Sequence, residues 1–176
     1  MERVDVRGLG TDPVSIRWTG PADLLGLGEE PGFAFPVTVD VRARRLGTRV
    51  LVEGRTGARV RLICSRCLEE FEETIDSEVA VEFREGPPPA SVEDTDGEGD
   101  AEANWFEPPF LDLADDIRQV LLVASPSYPV CRESCRGLCP VCGANRNEAA
   151  CGHPVAPEAP RTVLGALMNK EQMRHG

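Results

Sequence analysis

Seven cysteines stand out in this chain, because their spacing is typical of metal ligands. They are Cys64, Cys67, Cys131, Cys135, Cys139, Cys142 and Cys151. An odd number does not fit a closed disulfide framework, and in a reducing compartment paired cysteines indicate a bound metal instead. Two thiolates three residues apart can hold one tetrahedral ion, and Zn²⁺ is the ion that suits such a shell.

The first pair, Cys64-Ser-Arg-Cys67, is a C-x-x-C motif at the end of a predicted strand. Such a motif on its own is also typical of redox proteins, which place it at a helix N-terminus within a βαβ unit. Here the motif lies among predicted hairpin strands. This setting favours metal binding over a redox role.

The second cluster carries a stronger signal. Cys139-Pro-Val-Cys142-Gly143 resembles a zinc-ribbon knuckle, in which the glycine lets the backbone turn so that amides face the sulfurs. His153 follows Cys151 by two residues and offers a ring nitrogen to a shell that already holds three thiolates. His175, near the end of the sequence, is predicted to be solvated.

The eight candidate ligands divide into two sets of four. One set is Cys139, Cys142, Cys151 and His153; the other is Cys64, Cys67, Cys131 and Cys135, which would join the sheet to the C-terminal segment. One ion plus unliganded thiols is the alternative, and an iron–sulfur cluster is a third, although the spacing does not match ferredoxin runs. Four protein ligands leave no open position for substrate, so they favour a structural role. The sequence therefore predicts one or two zinc ions, no enzymatic activity and no small-molecule substrate.

Hydrophobic periodicity predicts an α+β fold. Apolar residues alternate with polar ones over 14–18, 33–43, 49–53, 58–63 and 78–83, with a turn at Gly54 and Gly57. Short connections between these strands predict an antiparallel sheet, possibly barrel-like. Helical spacing over 111–123 predicts a helix on the sheet, with Asp112 as its N-cap and a core face of Leu113, Ile117, Val120 and Leu121. A short helix is expected over 161–174.

Three regions follow from these patterns. Residues 1–84 are predicted to form a β-rich domain with the C-x-x-C knuckle, and 85–109 an acidic flexible linker or loop. Residues 110–176 are predicted to hold the helix, the zinc module and a C-terminal helix on the sheet. The acidic linker has too few apolar residues to offset the entropy of ordering. We interpret it as a solvated spacer; the alternative is an acidic segment that contacts a basic partner.

Charge and hydropathy narrow the class further. The net charge is -11, and residues 85–117 hold 11 acidic and no basic residues. The acidity therefore sits in this middle segment, whereas the cysteine-rich end is mildly basic. This balance argues against a broad nucleic-acid surface but permits a small one, for which Arg132, Arg136 and Arg146 are candidates. No apolar run is long enough to span a bilayer and no signal peptide is recognisable, so a cytoplasmic protein without membrane contact is expected.

The order of these motifs resembles the YceD family of large ribosomal RNA subunit accumulation proteins. The resemblance rests on CSRCL at 64–68 followed by EEFEE, the helix LDLADDIRQVLLVASP, and PVCRESCRGLCPVCGANRNEAACGH at 129–153. Its most specific part is the run CxGLCPVCGxNxN. The family's metal pairs map onto the seven cysteines. Many relatives close with CxC where this chain has Cys151-Gly-His153, which leaves the last ligand open.

The resemblance implies a non-enzymatic factor in large-subunit biogenesis that supports 23S rRNA accumulation. Its partner would be pre-ribosomal RNA or a large-subunit ribosomal protein, which the acidic segment 93–102 could engage if that protein is basic. A stand-alone zinc-ribbon module in nucleic-acid binding or transcription is the alternative, and the acidic charge and few aromatics disfavour it. A metal-dependent enzyme or redox protein would need an open coordination position or a reactive thiol.

Overall fold

The computed structural model describes residues 3–87 and 104–153. Its strands are β1 (Val4–Asp5), β2 (Val14–Gly20), β3 (Val37–Leu46), β4 (Arg49–Ile63), β5 (Glu70–Glu85), β6 (Asn104–Phe106) and β7 (Phe110–Leu111). One α-helix, α1 (Ala114–Ala124), follows, and two 3₁₀ turns lie at Val6–Gly8 and Ala22–Leu25. No helix within the described ranges is long and apolar enough to cross a membrane.

The chain divides into two units. The first, here the sheet unit, is Met1–Cys64 with Glu69–Cys131. The second, here the cysteine unit, is Ser65–Leu68 with Arg132–Gly176, of which residues 65–68 and 132–153 are described. All the strands and α1 belong to the sheet unit.

The main sheet has five strands in the order β2-β3-β4-β5-β6. The first four form the antiparallel meander that the alternation predicted. Strand β6 pairs with β5 in parallel, which makes the sheet mixed, and β1 pairs with β7 in a separate two-stranded ribbon. The α+β prediction is confirmed, but the barrel-like closure is wrong, because β2 and β6 form the two edges of an open sheet and do not pair with each other.

The alternation places one face of each strand in the core. In β3, Val37, Val39 and Val41 are buried, whereas Thr38 and Asp40 between them are exposed. Successive strand residues point to opposite faces, so this period of two is what a sheet covered on one side requires. Strand β3 begins at Val37, four residues later than predicted, and Phe33 is buried in the segment before it.

The turn predicted at Gly54 and Gly57 is wrong, because β4 runs without interruption through both residues. The two glycines answer a different need. A Cβ at Gly54 would lie 2.3 Å from the Asp40 carbonyl oxygen, and one at Gly57 would lie 2.5 Å from Oδ1 of Asp76. A glycine inside a strand often marks such a close approach of neighbouring groups. Residues 58–63 therefore continue β4 and do not form a separate strand.

Helix α1 covers the buried face of the sheet unit. Leu113, Ile117 and Leu121 are fully buried and Val120 is partly buried, which confirms the predicted core face. The N-cap residue is Leu113, one position after the predicted Asp112. The Asp112 side chain nevertheless accepts a hydrogen bond from the Ala114 N–H at 3.0 Å. Arg118 donates to the Gly26 carbonyl and forms an ion pair with Glu30 at 3.0 Å. These contacts fix the helix on the loop after β2.

Two predicted features lie wholly or partly outside the described residues. The helix over 161–174 is one of them, and His175 lies there too. Most of the acidic region 85–109 is the other, since 88–103 is not described. At the ends of that region, Glu85 closes β5 and Asn104–Phe106 forms β6.

Candidate metal centres

The knuckle at Cys139–Gly143 is a hydrogen-bonded hairpin within the cysteine unit. The Cys139 N–H donates to the Ala144 carbonyl and the Gly143 N–H to the Cys139 carbonyl, both at 2.8 Å. A bridge between Leu138 and Asn145 continues the pairing. Gly143 has φ +72°, the left-handed conformation that glycine adopts without cost. The glycine after the second cysteine therefore does what the sequence predicted.

The C-x-x-C at 64–67 closes in the same way. The Cys64 N–H donates to the carbonyl of Glu69 at 2.9 Å, five residues on, as Cys139 does to Ala144. The residue after the second cysteine is again left-handed, but here it is Leu68, with φ 61°. An L-residue with a Cβ pays roughly 1–2 kcal/mol for this conformation. Both knuckles thus share one backbone geometry, and the first adopts it at a conformational cost.

The structure brings the eight predicted ligands into two groups that could hold metal ions. One group is Cys64, Cys67, Cys131 and Cys135; the other is Cys139, Cys142, Cys151 and His153. Within each group the ligand atoms all lie within 4.8 Å of one another. The first group is mostly buried, whereas the second exposes Cys142 and His153 to solvent.

The distances suit a tetrahedral shell. Two zinc-bound sulfurs at ~2.3 Å from the ion stand about 3.8 Å apart, and a sulfur and a histidine nitrogen about 3.6 Å apart. Cys139 Sγ and His153 Nδ1 are 3.7 Å apart. All four donors in each group are thiols or imidazole. Zn²⁺ prefers such sulfur and nitrogen donors, whereas hard cations prefer oxygen donors. The donor chemistry and spacing of both groups therefore fit the ion that the sequence implied.

The knuckle amides prepare Cys139 to be a thiolate. The backbone N–H groups of Cys142 and Val141 donate to its sulfur and lower the pKa of Cys139 to about 6. The N–H of Ala144 lowers the pKa of Cys142, but the hydrogen bond between the Cys142 and Cys139 side chains and desolvation outweigh this effect and raise that pKa. Of the two thiols, Cys139 therefore loses its proton first. Metals bind the deprotonated thiol, so such amide contacts favour binding.

Asn147 contacts one of the candidate ligands, Cys135. Its side-chain Nδ2 donates to Cys135 Sγ at 3.4 Å, while its Oδ1 accepts the Arg136 N–H at 2.8 Å. Asn145 Oδ1 in turn accepts from the Asn147 backbone and side chain. Second-sphere partners of this kind orient ligands and tune their affinity. The signal was present in the two asparagines of the CGxNxN run, whose role the sequence did not reveal.

The three arginines predicted to contact RNA lie in the cysteine unit. Arg132 and Arg136 are exposed, and Arg146 is half-buried with its N–H bonded to the Gly137 carbonyl. Among the described residues none of the three forms an ion pair with a carboxylate.

Fold and sites together define an α+β protein with two cysteine-rich groups suited to metal. A family model described as large ribosomal RNA subunit accumulation protein YceD matches residues 52–168, which include every ligand of both groups. The chain therefore belongs to the YceD family.

Individual relatives add little about activity. The chain is 30% identical over 105 residues to an uncharacterized protein of Mycobacterium bovis and to uncharacterized proteins of two Mycobacterium tuberculosis strains. The alignment covers 60% of this chain and 49% of each relative, so the chain matches about half the length of these curated relatives. No solved structure matches the chain significantly.

Proposed function

We propose that this protein is a non-enzymatic, zinc-binding factor of large ribosomal subunit biogenesis that supports the accumulation of 23S rRNA in the cytoplasm. The observation that carries the proposal is the family match over residues 52–168, which spans both metal-binding groups. The family description itself refers to large-subunit ribosomal RNA.

Zinc is the proposed ion for both groups, with two ions per chain. Cys64, Cys67, Cys131 and Cys135 would hold one, and Cys139, Cys142, Cys151 and His153 the other. Each shell has four protein donors, so a bound ion has no vacant position at which substrate or water is activated. When bound, zinc supplies folding free energy to the segment that its ligands connect. This favours a structural metal in a binding protein over a catalytic one.

The proposed partner is pre-ribosomal RNA or a large-subunit ribosomal protein. Arg132, Arg136 and Arg146 support contact with RNA, because they flank the cysteines and have no carboxylate partner among the described residues. Guanidinium groups bind phosphates through paired hydrogen bonds. The acidic segment 93–102 is the candidate contact for a basic ribosomal protein, and it lies outside the described residues.

Depletion of the protein in its own cells tests the function. The ratio of 23S to 16S rRNA should fall on depletion and recover when the wild-type chain is restored. An unchanged ratio would contradict the proposal. Capture of the full chain at low salt, with and without ribonuclease, then separates the two partners: large-subunit proteins that stay bound after ribonuclease indicate protein contact, and their loss indicates RNA contact.

A further inference from the structure

The outer face of the main sheet carries a groove in which arginines outnumber carboxylates by three to two. It is an open groove of about 490 Å³ on β3 and β4, lined among others by Arg42, Arg44, Arg55, Leu51, Asp40 and Glu53. Every one of these side chains lies on the strand positions that point away from α1 and the core. The groove belongs to the sheet unit alone.

The other arginines of this face already have partners. Arg59 and Arg61 each lie 3.6 Å from Glu72, and Arg49 lies 3.4 Å from Glu82. Arg42, Arg44 and Arg55, by contrast, form no ion pair with any carboxylate of the described residues. The groove arginines are thus distinguished from their neighbours by the absence of a fixed counter-charge within the described chain.

The acidic residues nearby reduce this charge but leave an excess of arginine. Asp40 stands opposite Arg55 in the sheet register and forms its ion pair with Arg17 of strand β2, at 3.1 Å. Glu53 stands directly opposite Arg42 in the sheet register, and Glu78 opposite Arg55, yet neither forms an ion pair with its neighbour. Within the groove lining, three guanidinium groups face one unpaired carboxylate, that of Glu53.

We propose that this groove binds the phosphate backbone of single-stranded RNA, which rests on the proposed function and adds a contact surface in the sheet unit. Arg42 and Arg44 are alternate residues of one strand, about 7 Å apart. Arg55 lies diagonally across on β4, at a similar distance from Arg42. Three planar guanidinium forks at this spacing can each contact a different phosphate along one extended strand.

The same lining predicts how RNA is read. Among the described residues, no aromatic side chain lines the groove, and Leu51 is the one large aliphatic residue of the lining. Bases therefore have no ring to stack on here, and phosphate contacts alone carry no sequence information. Binding at this groove is sequence-tolerant and strongly salt-dependent.

Fluorescence anisotropy of the zinc-loaded full chain with a labelled oligouridine of twenty nucleotides tests the proposal. Each phosphate contact to a single strand contributes a slope of about -0.7 in log K against log salt. Changing Arg42→Gln, Arg44→Gln and Arg55→Gln together should weaken binding at least about tenfold and flatten the slope by about 2. The control changes Arg49→Gln, Arg59→Gln and Arg61→Gln, which alter the net charge equally on the same face and should weaken binding less than about threefold.

Besides unchanged binding by the groove variant, three results would overturn the groove proposal. Wild-type chain that fails to bind oligouridine at low salt is the first, and equal loss in both triple variants is the second. The third is competition by polyglutamate as effective as by unlabelled RNA, which would assign the groove to an acidic peptide. Thermal unfolding of both variants checks that each is folded. If depletion lowers 23S rRNA but the groove variant binds as wild type, only the groove proposal fails; if depletion has no effect, the proposed function fails while anisotropy still decides the groove.

Discussion

Nδ1 of His153 lies 3.7 Å from Sγ of Cys139, close to the separation of two ligands on one tetrahedral zinc ion. This relationship concerns the last candidate ligand of the second group, which the sequence alone left open. His153 is an exposed residue, and its Nδ1 lies beside the Cys139 thiol. The imidazole can therefore complete a shell of three thiolates.

Replacing His153→Ala should remove one ligand of the exposed group. We expect the affinity of that group for zinc to fall by more than roughly 100-fold, since loss of a supporting partner alone costs about 10–100-fold. His153→Cys, which restores a fourth soft donor, should keep the metal. Elemental analysis after dialysis against a weak chelator measures this, with His175→Ala as the control. Full zinc retention in His153→Ala would mean that the imidazole is not a ligand.

Loss of Cys142 should loosen the segment 137–146, which contains the knuckle. Its hydrogen bonds are few, such as Arg146 N–H to the Gly137 carbonyl and Leu138 N–H to the Arg66 carbonyl, and small metal segments take much of their stability from the ion. Limited proteolysis of Cys142→Ser should cut this segment faster than in the wild type. Chelation of the wild-type chain should have the same effect. Unchanged cleavage in both experiments would contradict a structural metal at this group.

Asn147→Asp separates the two roles of the Asn147 side chain. The aspartate keeps an oxygen for the Arg136 N–H but loses the Nδ2 donor to Cys135 and adds negative charge beside thiolates. We expect the metal affinity of the group that contains Cys135 to fall by about 10–100-fold. Competition titration with a chelating dye measures it. Glu148→Gln, a neighbouring change without contact to a cysteine sulfur, is the control and should leave the affinity unchanged.

Leu68→Gly should stabilise the protein. Leu68 has φ 61°, and its side chain is 63% exposed, so little packing is lost when the left-handed cost is removed. Glycine also raises the entropy of the unfolded chain, which limits the expected gain to about 1 kcal/mol. Urea unfolding of the zinc-loaded protein gives the value. Leu46→Gly, at an exposed leucine without positive φ, should instead destabilise; a loss of stability in Leu68→Gly would indicate that the leucine side chain makes a contact worth more than the strain.

Asp116 should make stability depend on pH. Desolvation raises the pKa of its carboxyl, although the hydrogen bond from the Asn104 side chain opposes the shift. The folded state therefore binds this proton more tightly than the unfolded state. Its stabilising contribution is complete below the unfolded pKa and is lost as the pH rises through the folded pKa. Asparagine does not titrate, so the free energy of unfolding of Asp116→Asn should increase relative to that of wild type as the pH rises from about 3 to about 7. The exposed Asp115→Asn is the matched control, and an equal gain there would assign the effect to the helix end.

Much of the sheet unit could be predicted from local patterns. Val37, Val39 and Val41 alternate with polar residues because one sheet face is buried, and Ile117 and Leu121 recur at helical spacing for the same reason. The knuckle at Cys139 was also predictable, since Gly143 and the two cysteines act within five residues. Short-range chemistry of this kind is written in neighbouring side chains.

Other features depend on residues far apart in the chain. Gly54 and Gly57 indicated a turn, yet each accommodates a close neighbour across the sheet, which sequence spacing does not show. The parallel pairing of β5 with β6, and the position of β2 and β6 at the sheet edges, likewise depend on which distant strands pair. The sequence by itself determined which residues are candidate ligands by type and which faces are apolar, because both follow from local spacing. Only the tertiary structure decided that His153 reaches Cys139, that Asn147 reaches the Cys135 sulfur, and which arginines of the sheet remain without a carboxylate among the described residues, because each depends on distances between atoms that the fold brings together.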